Sequence, residues 1–324
     1  MQRVVRAQSR PWPPPWPLLA VLLAAVALAA AAGLAAGAGC RRDDAASSGR
    51  PGPGSAAPAA EPRAEAGTAP PPAAAPRLVS LTPSATEVVA ALGAAPLLVG
   101  VDDYSTFPAE VARLPKVGSF LSPNLEAIAA LSPTLVIVDD VHGQIAGALG
   151  DAHIATVECA IHGLPDVESA LRAVGARIGK AADAERVVAG IDAALDRAAA
   201  QRPARRPRVL AVIDREAGGL GNLITAGPGS WIDELLAVVG GDNVLSAAGV
   251  RYPKISAEEV LRARPEVILD LSYAARQSVA AWNQLAVPAV ASHRVRALDQ
   301  PFLIAPSPRV ADALAALAQA ITAP

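Results

Sequence analysis

Two glutamates, Glu126 and Glu258, stand 132 residues apart in the same local setting. Each follows a capping residue by two positions, Asn124 or Ser256, and each precedes a proline by seven, Pro133 or Pro265. An apolar run comes next, Leu135-Val136-Ile137-Val138 in one case and Val267-Ile268-Leu269 in the other. Asn and Ser are good N-caps, an acid in the first turn interacts favourably with the helix dipole, and Pro stops a helix ahead of a buried strand. Surface carboxylates of this kind do ion-pair chemistry, and two in matched settings suit docking on a symmetric partner. Glu259 is better placed than Glu258 to close a capping box with Ser256, which leaves Glu258 free.

The other reactive side chains form no catalytic set. His142, His153, His162 and His293 lack the i, i+4 spacing or the cysteine partners of a metal site. No serine sits in a nucleophile elbow. Gly218-Gly219-Leu220-Gly221 and Gly227-Pro228-Gly229-Ser230 lack the Lys and the spacing of a phosphate loop, and read as turns ahead of a helix that Ser230 caps. Neither an enzyme, a metal centre nor a cofactor is expected. His153 and His293 precede strands and read as structural, whereas His142, after Asp139-Asp140 at a strand end, is a candidate ligand contact. Cys159 lies in an apolar stretch and reads as an inert core thiol.

Aromatic residues are scarce, and after the first forty residues only eight occur. Tyr104, Phe120, Tyr252 and Phe302 all fall in expected loops. Ligands of open α/β sheets sit beyond the strand carboxyl ends, where loop aromatics would supply flat apolar walls for a large ring system.

The elements that position these residues alternate. Leu78-Val79-Ser80-Leu81 reads as a buried strand, and Ser84-Ala85-Thr86-Glu87 has the capping-box pattern opening a helix to Gly93. Strands at 97–101, 135–138 and 153–159 and helices at 125–131 and 166–178 follow. A long helix, capped by Asp183, keeps one apolar stripe from Val187 to Ala198 before Pro203 ends it. Beyond it come strands at 209–213, 267–271 and 295–298, with helices at 231–239, 258–263 and 308–321. The expected architecture is α/β, with two similar Rossmann-like lobes, residues 77–180 and 204–324, joined by a single rigid helix, 181–203, and a ligand cleft between them.

The chain has 324 residues, 52% of them apolar, with a formal charge of −2, which gives no electrostatic reason to expect nucleic acid. Arg3, Arg6 and Arg10 precede an apolar run from Leu18 to Ala36, and Gly37-Ala38-Gly39-Cys40 follows. This resembles a bacterial lipoprotein signal in which Cys40 is lipidated; the alternative is an uncleaved anchor. Either way the remainder is expected to be extracytoplasmic and tethered. Residues 41–76, rich in Pro, Ala and Gly, read as a disordered spacer.

Leu81-Thr82-Pro83-Ser84-Ala85-Thr86-Glu87, Val99-Gly100-Val101-Asp102-Asp103-Tyr104-Ser105-Thr106-Phe107-Pro108 and Asn124-Leu125-Glu126 together resemble the helical-backbone, class III substrate-binding proteins of ABC importers. Gly240-Gly241-Asp242-Asn243-Val244, Tyr252-Pro253-Lys254-Ile255-Ser256 and Ala305-Pro306-Ser307-Pro308-Arg309 fit as well. The resemblance covers residues 77 to 322 and is most marked to members that bind cobalamin. It implies a monomer that performs no chemistry and holds a corrinoid or other metal-chelate ligand between its lobes. Ser84, Tyr104, Phe120, Tyr252 and Phe302 would be ligand-binding, and Glu126 and Glu258 would contact arginines of the permease dimer. Two departures stand out. Asp139-Asp140 replaces a Trp after the third strand, and Leu303, Ile304 and Ala305 replace charged contacts. A haem would need an axial Tyr or His, for which Tyr104, Tyr252 or His142 would serve. A ferric siderophore would need cleft cations, such as Arg251, Lys254 and Arg276.

Overall fold

The computed structural model describes residues 75–323; the expected signal, Cys40 and nearly all of the expected spacer lie outside this range. Two main sheets and one short two-stranded hairpin are present among the described residues. The first has the order β2-β1-β3-β4 and is entirely parallel, from β1 (Leu78–Ser80), β2 (Leu98–Val101), β3 (Leu135–Val138) and β4 (Ala155–Glu158). The second is built on β5 (Arg208–Asp214), which pairs in parallel with β8 (Val267–Asp270), itself parallel to β9 (Val295–Ala297). On the other edge of β5 lie β6 (Leu223–Thr225) and then β7 (Lys254–Ile255), both antiparallel to their neighbours.

The antiparallel pair was not among the expected strands. Leu223-Ile224-Thr225 and Lys254-Ile255 are too short to show a period, and only pairing with β5 and with each other makes them strands. Helix α3 (Gly143–Asp151) was likewise not expected, because its three glycines and single buried residue, Leu149, carry little helical signal.

The helices form where caps and apolar stripes coincide. Helix α1 (Pro83–Ala91) is capped by Thr82, whose hydroxyl accepts from the Ala85 amide, and not by Ser84, which lies inside it; Pro83 at the first position has no N–H to satisfy. Helices α2 (Leu125–Ala130) and α7 (Ala257–Ala263) are capped by Asn124 and Ser256 as their sequences predict. Glu259 closes the capping box with Ser256. Helix α6 (Trp231–Val239) starts at Ser230 and ends at Gly240, whose φ of 85° is the left-handed conformation that glycine adopts without penalty. The last helix, α11 (Val310–Thr322), closes the chain.

Between the sheets run α4 (Leu164–Arg177) and α5 (Ala181–Ala200). The 20 residues of α5 span about 30 Å. Asp183 is not its cap; it lies in the first turn and pairs with Lys180 at 3.2 Å and with Arg186. Nor is α5 a free-standing rod. It packs on α4, α6 and α11, so helices from both halves form one layer. Strand alternation explains this layer. Leu78, Ile137, Val209, Ala211 and Leu269 face it and share one core with Val174, Val188 and Ile191. Their neighbours Val79, Val136, Leu210, Val212 and Ile268 face the opposite way, into a smaller core on each sheet's outer side.

Candidate ligand cleft

The carboxyl ends of the parallel strands carry the polar and aromatic loops in both halves. After β2, Asp102 is buried, and its carboxylate accepts from the Tyr104 amide at 2.9 Å and from the Ser105 hydroxyl. Lys116 donates to the carbonyls of Asp102 and Ser105 at 3.0 and 2.8 Å. Burial pushes the Asp102 carboxyl up and the Lys116 ammonium down from their ordinary values. This turn is therefore fixed from both sides, and Tyr104 projects from it half-buried.

After β3, the Asp139 amide donates to Nδ1 of His142 at 2.9 Å, which leaves Nε2–H to donate to the Phe120 carbonyl at 2.6 Å. The imidazole is buried, which lowers its pKa and keeps it neutral. Both of its nitrogens are thus used internally, and His142 is not the ligand contact that its position suggested. It braces Phe120 instead, with the two rings edge to face at 5.3 Å and 65°. Phe120 lies in the tight link between Gly118–Ser119 and Ser122–Pro123, a two-stranded hairpin.

The same strand end holds a group the sequence did not reveal. Asp139 and Asp140 lie side by side, and Asp140 meets Nε2 of His162, beyond β4, at 3.0 Å. Burial, then the neighbouring Asp140 carboxyl, pushes Asp139 up to about 8 while Asp140 is held low. His162 is 22 residues from Asp140, and no local spacing links them. Cys159, next to this group, is buried and pushed up to about 12, as expected of an inert thiol.

The second half is organised differently. After β5, Arg215 turns back into the protein and donates from Nε to Asp270, the last residue of β8, at 2.7 Å, both side chains being fully buried. Its remaining N–H groups reach the carbonyls of Gly219 and Ser278, and Asp270 also accepts from the Ser272 hydroxyl and the Trp282 indole. Tyr252 is half-buried beside β6, where its neighbours Arg251 and Pro253 accept from the amides of Gly227 and Thr225. Burial pushes its phenol up.

Phe302 belongs to a short helix, α10 (Pro301–Ile304), and not to a loop. Its ring and that of Phe107 both carry the guanidinium of Arg309, with the charge 4.7 and 4.0 Å from the ring centroids. Arg309 also makes two hydrogen bonds, at 2.8 and 2.7 Å, to Glu87 of α1. This cluster joins the halves. Phe302 thus takes part in the junction. A cavity of about 420 Å³ opens beside it, lined by Glu87, Phe107, Pro108, Glu110 and Arg309 among others. A second junction is made by Glu234 of α6, which accepts from the Leu164 amide at the start of α4 at 2.7 Å.

Ser84, the second residue of α1, is half-buried. Glu126 and Glu258 are exposed, each the second residue of its helix, and Ser256 holds the Glu258 carboxylate below its ordinary range. Among the described residues no ring contact joins Tyr104, Phe120 and Tyr252, and no group of three or more metal-ligating side chains occurs.

A family model described as periplasmic binding protein matches residues 78–301. The chain belongs to that family. Members capture ligands and do not transform them, in keeping with the lack of a catalytic set in the sequence. The chain is 31% identical over 201 residues to the vitamin B12-binding protein of Salmonella typhimurium, covering 60% of this chain and 72% of that one. It is 27% identical over 250 residues to the vitamin B12-binding protein of Vibrio cholerae, covering 74% and 86%. Among solved structures it is similar to a periplasmic heme-binding protein from Roseiflexus sp. RS-1, with a TM-score of 0.67, 30% identity and coverage of 76% and 98%. No helix among the described residues is long and apolar enough to cross a membrane.

Proposed function

We propose that this protein is a lipid-anchored, extracytoplasmic substrate-binding protein that captures a corrinoid between its two halves and delivers it to the permease dimer of an ABC importer. The observation that carries this reading is the likeness, over most of the folded chain, to relatives named for vitamin B12 binding. Half-buried aromatics at the cleft, Tyr104, Phe120 and Tyr252, supply the apolar faces such a ring needs. Exposed Glu126 and Glu258, at matched places on α2 and α7, supply the docking charges. Cys40 supplies the anchor, and the protein acts as a monomer.

Haem is the second reading, favoured by the 30% identical heme-binding structure and by Tyr104, a phenol held out on a pinned turn. Visible spectra of the purified protein titrated with cyanocobalamin and haemin separate the two. A corrin band shift with micromolar or tighter affinity is expected, and a Soret shift with no corrin response would transfer the assignment to haem. Replacing both Glu126 and Glu258 by Lys is expected to abolish uptake with ligand affinity unchanged; uptake that survives removes the docking role. Cys40→Ala is expected to release the protein from the membrane fraction.

A further inference from the structure

We propose that Asp139, Asp140 and His162 act as the selector of the cleft, favouring ligands whose periphery carries carboxamide N–H groups over ligands of the same ring that carry peripheral carboxylates. The inference rests on the corrinoid reading and names the feature of the ligand that this face recognises.

The argument is one of donors and acceptors. Asp140 and His162 remain exposed at 40% and 42% of their side chains, although they sit at the ends of β3 and β4 beside the Phe120–His142 wall. A carboxylate is an acceptor only, and His162 satisfies one of its oxygens, so oxygen lone pairs remain for an incoming N–H. Among the described residues the cationic groups the structure places beside this strand end are already engaged, His162 by Asp140 itself. The Lys116 ammonium is committed to two backbone carbonyls, and the His142 imidazole is buried and neutral with both nitrogens used. Asp103 and Glu158 add further negative charge on the same half. Across the cleft, Arg215 is neutralised by Asp270 and Arg309 by Glu87, while Arg276 donates to the Asp299 carbonyl and lies over Tyr273. Arg251 and Lys254 remain, next to Tyr252 on the other half. A ligand edge laid against β3 and β4 therefore meets acceptors, and a peripheral carboxylate there meets like charge.

Cyanocobalamin and one of its peripheral monocarboxylic acids, which differ by a single amide, test this directly by calorimetric titration. The wild-type protein is expected to bind the amide form about tenfold more tightly or better, as a like-charge contact in a partly desolvated site requires. Asp140→Asn keeps the shape and removes the charge, so the two affinities are expected to approach within about threefold. His162→Gln removes the partner of Asp140 and is expected to widen the preference, which provides an independent reading if the first variant folds poorly. Equal, tight binding of both corrinoids by the wild-type protein, or a ratio unchanged in Asp140→Asn, overturns the selector while leaving the corrinoid reading intact. Binding of neither ends the corrinoid reading and the selector with it.

Discussion

The two halves use the same helix–loop–strand unit and finish it in opposite ways. In the first, β3 runs into Asp139 and Asp140, which pair with no Arg or Lys among the described residues, and Asp139 is pushed up to about 8. In the second, β8 ends at Asp270, which is fully buried but meets Arg215, Trp282 and Ser272. A carboxylate removed from water must either find a cation and donors or take up a proton. One half does the first and becomes a fixed frame. The other does the second and keeps a charge that a ligand can meet. Repetition of a fold unit thus repeats the caps and the strand, but not the electrostatics at the strand's end.

The largest effect expected from this comparison is at Asp270. Asp270→Ala strands the buried Arg215 and is expected to cost about 3–5 kcal/mol in urea denaturation, whereas Asp139→Ala is expected to cost under ~1 kcal/mol. Similar losses at both sites would break the comparison. Next comes the junction between the halves. Arg309→Met leaves Glu87 without its partner and removes the cation from between Phe107 and Phe302. A loss of about 2 kcal/mol is expected, with a larger radius of gyration in solution scattering. An unchanged radius would mean that the shared helical core alone sets the angle between the halves.

A smaller and closer comparison is between the caps. Asn124→Ala and Ser256→Ala are each expected to cost about 1 kcal/mol, with Ser256 the more costly because it belongs to a reciprocal capping box. Thermal melts of the two variants rank them. The smallest effect concerns pH. The folded pKa of Asp139, about 8, lies above its ordinary 3.8, so the folded state holds the proton more tightly. The stability this confers is complete below pH 4 and is lost as pH rises through 8. Asp139→Asn removes the titrating group and should flatten that slope. Carboxyl titration by NMR is expected to show a midpoint near 8 for Asp139 that falls in Asp140→Asn.

Much of the fold was legible because it is written locally. Asn124 and Ser256 cap the helices expected of them, the apolar runs at 135–138 and 267–270 are central strands, and Gly240 ends α6. His153 and His293, read as structural, both sit at left-handed turns before the last strand of a half, with φ of 58° and 54°. Less of the cleft was legible. Its aromatics were read from their place in expected loops, yet Phe302 packs on Arg309, His142 braces Phe120, and His162, dismissed for want of spacing, meets Asp140 across 22 residues. Nothing in a one-dimensional pattern distinguishes a side chain that faces a cleft from one that turns back to hydrogen-bond a neighbouring loop.

The sequence alone determined most of the helix and strand order, the doubling of the α/β unit and the matched placement of Glu126 and Glu258, since periodicity, caps and helix-stopping prolines act within a few residues. Only the tertiary structure decided which charges meet. Glu87 and Arg309 pair across 222 residues and Arg215 and Asp270 across 55, while Asp139 is left with Asp140. Those outcomes depend on burial and on the partners that packing brings within 3 Å, and electrostatic energy in a protein interior varies steeply with both.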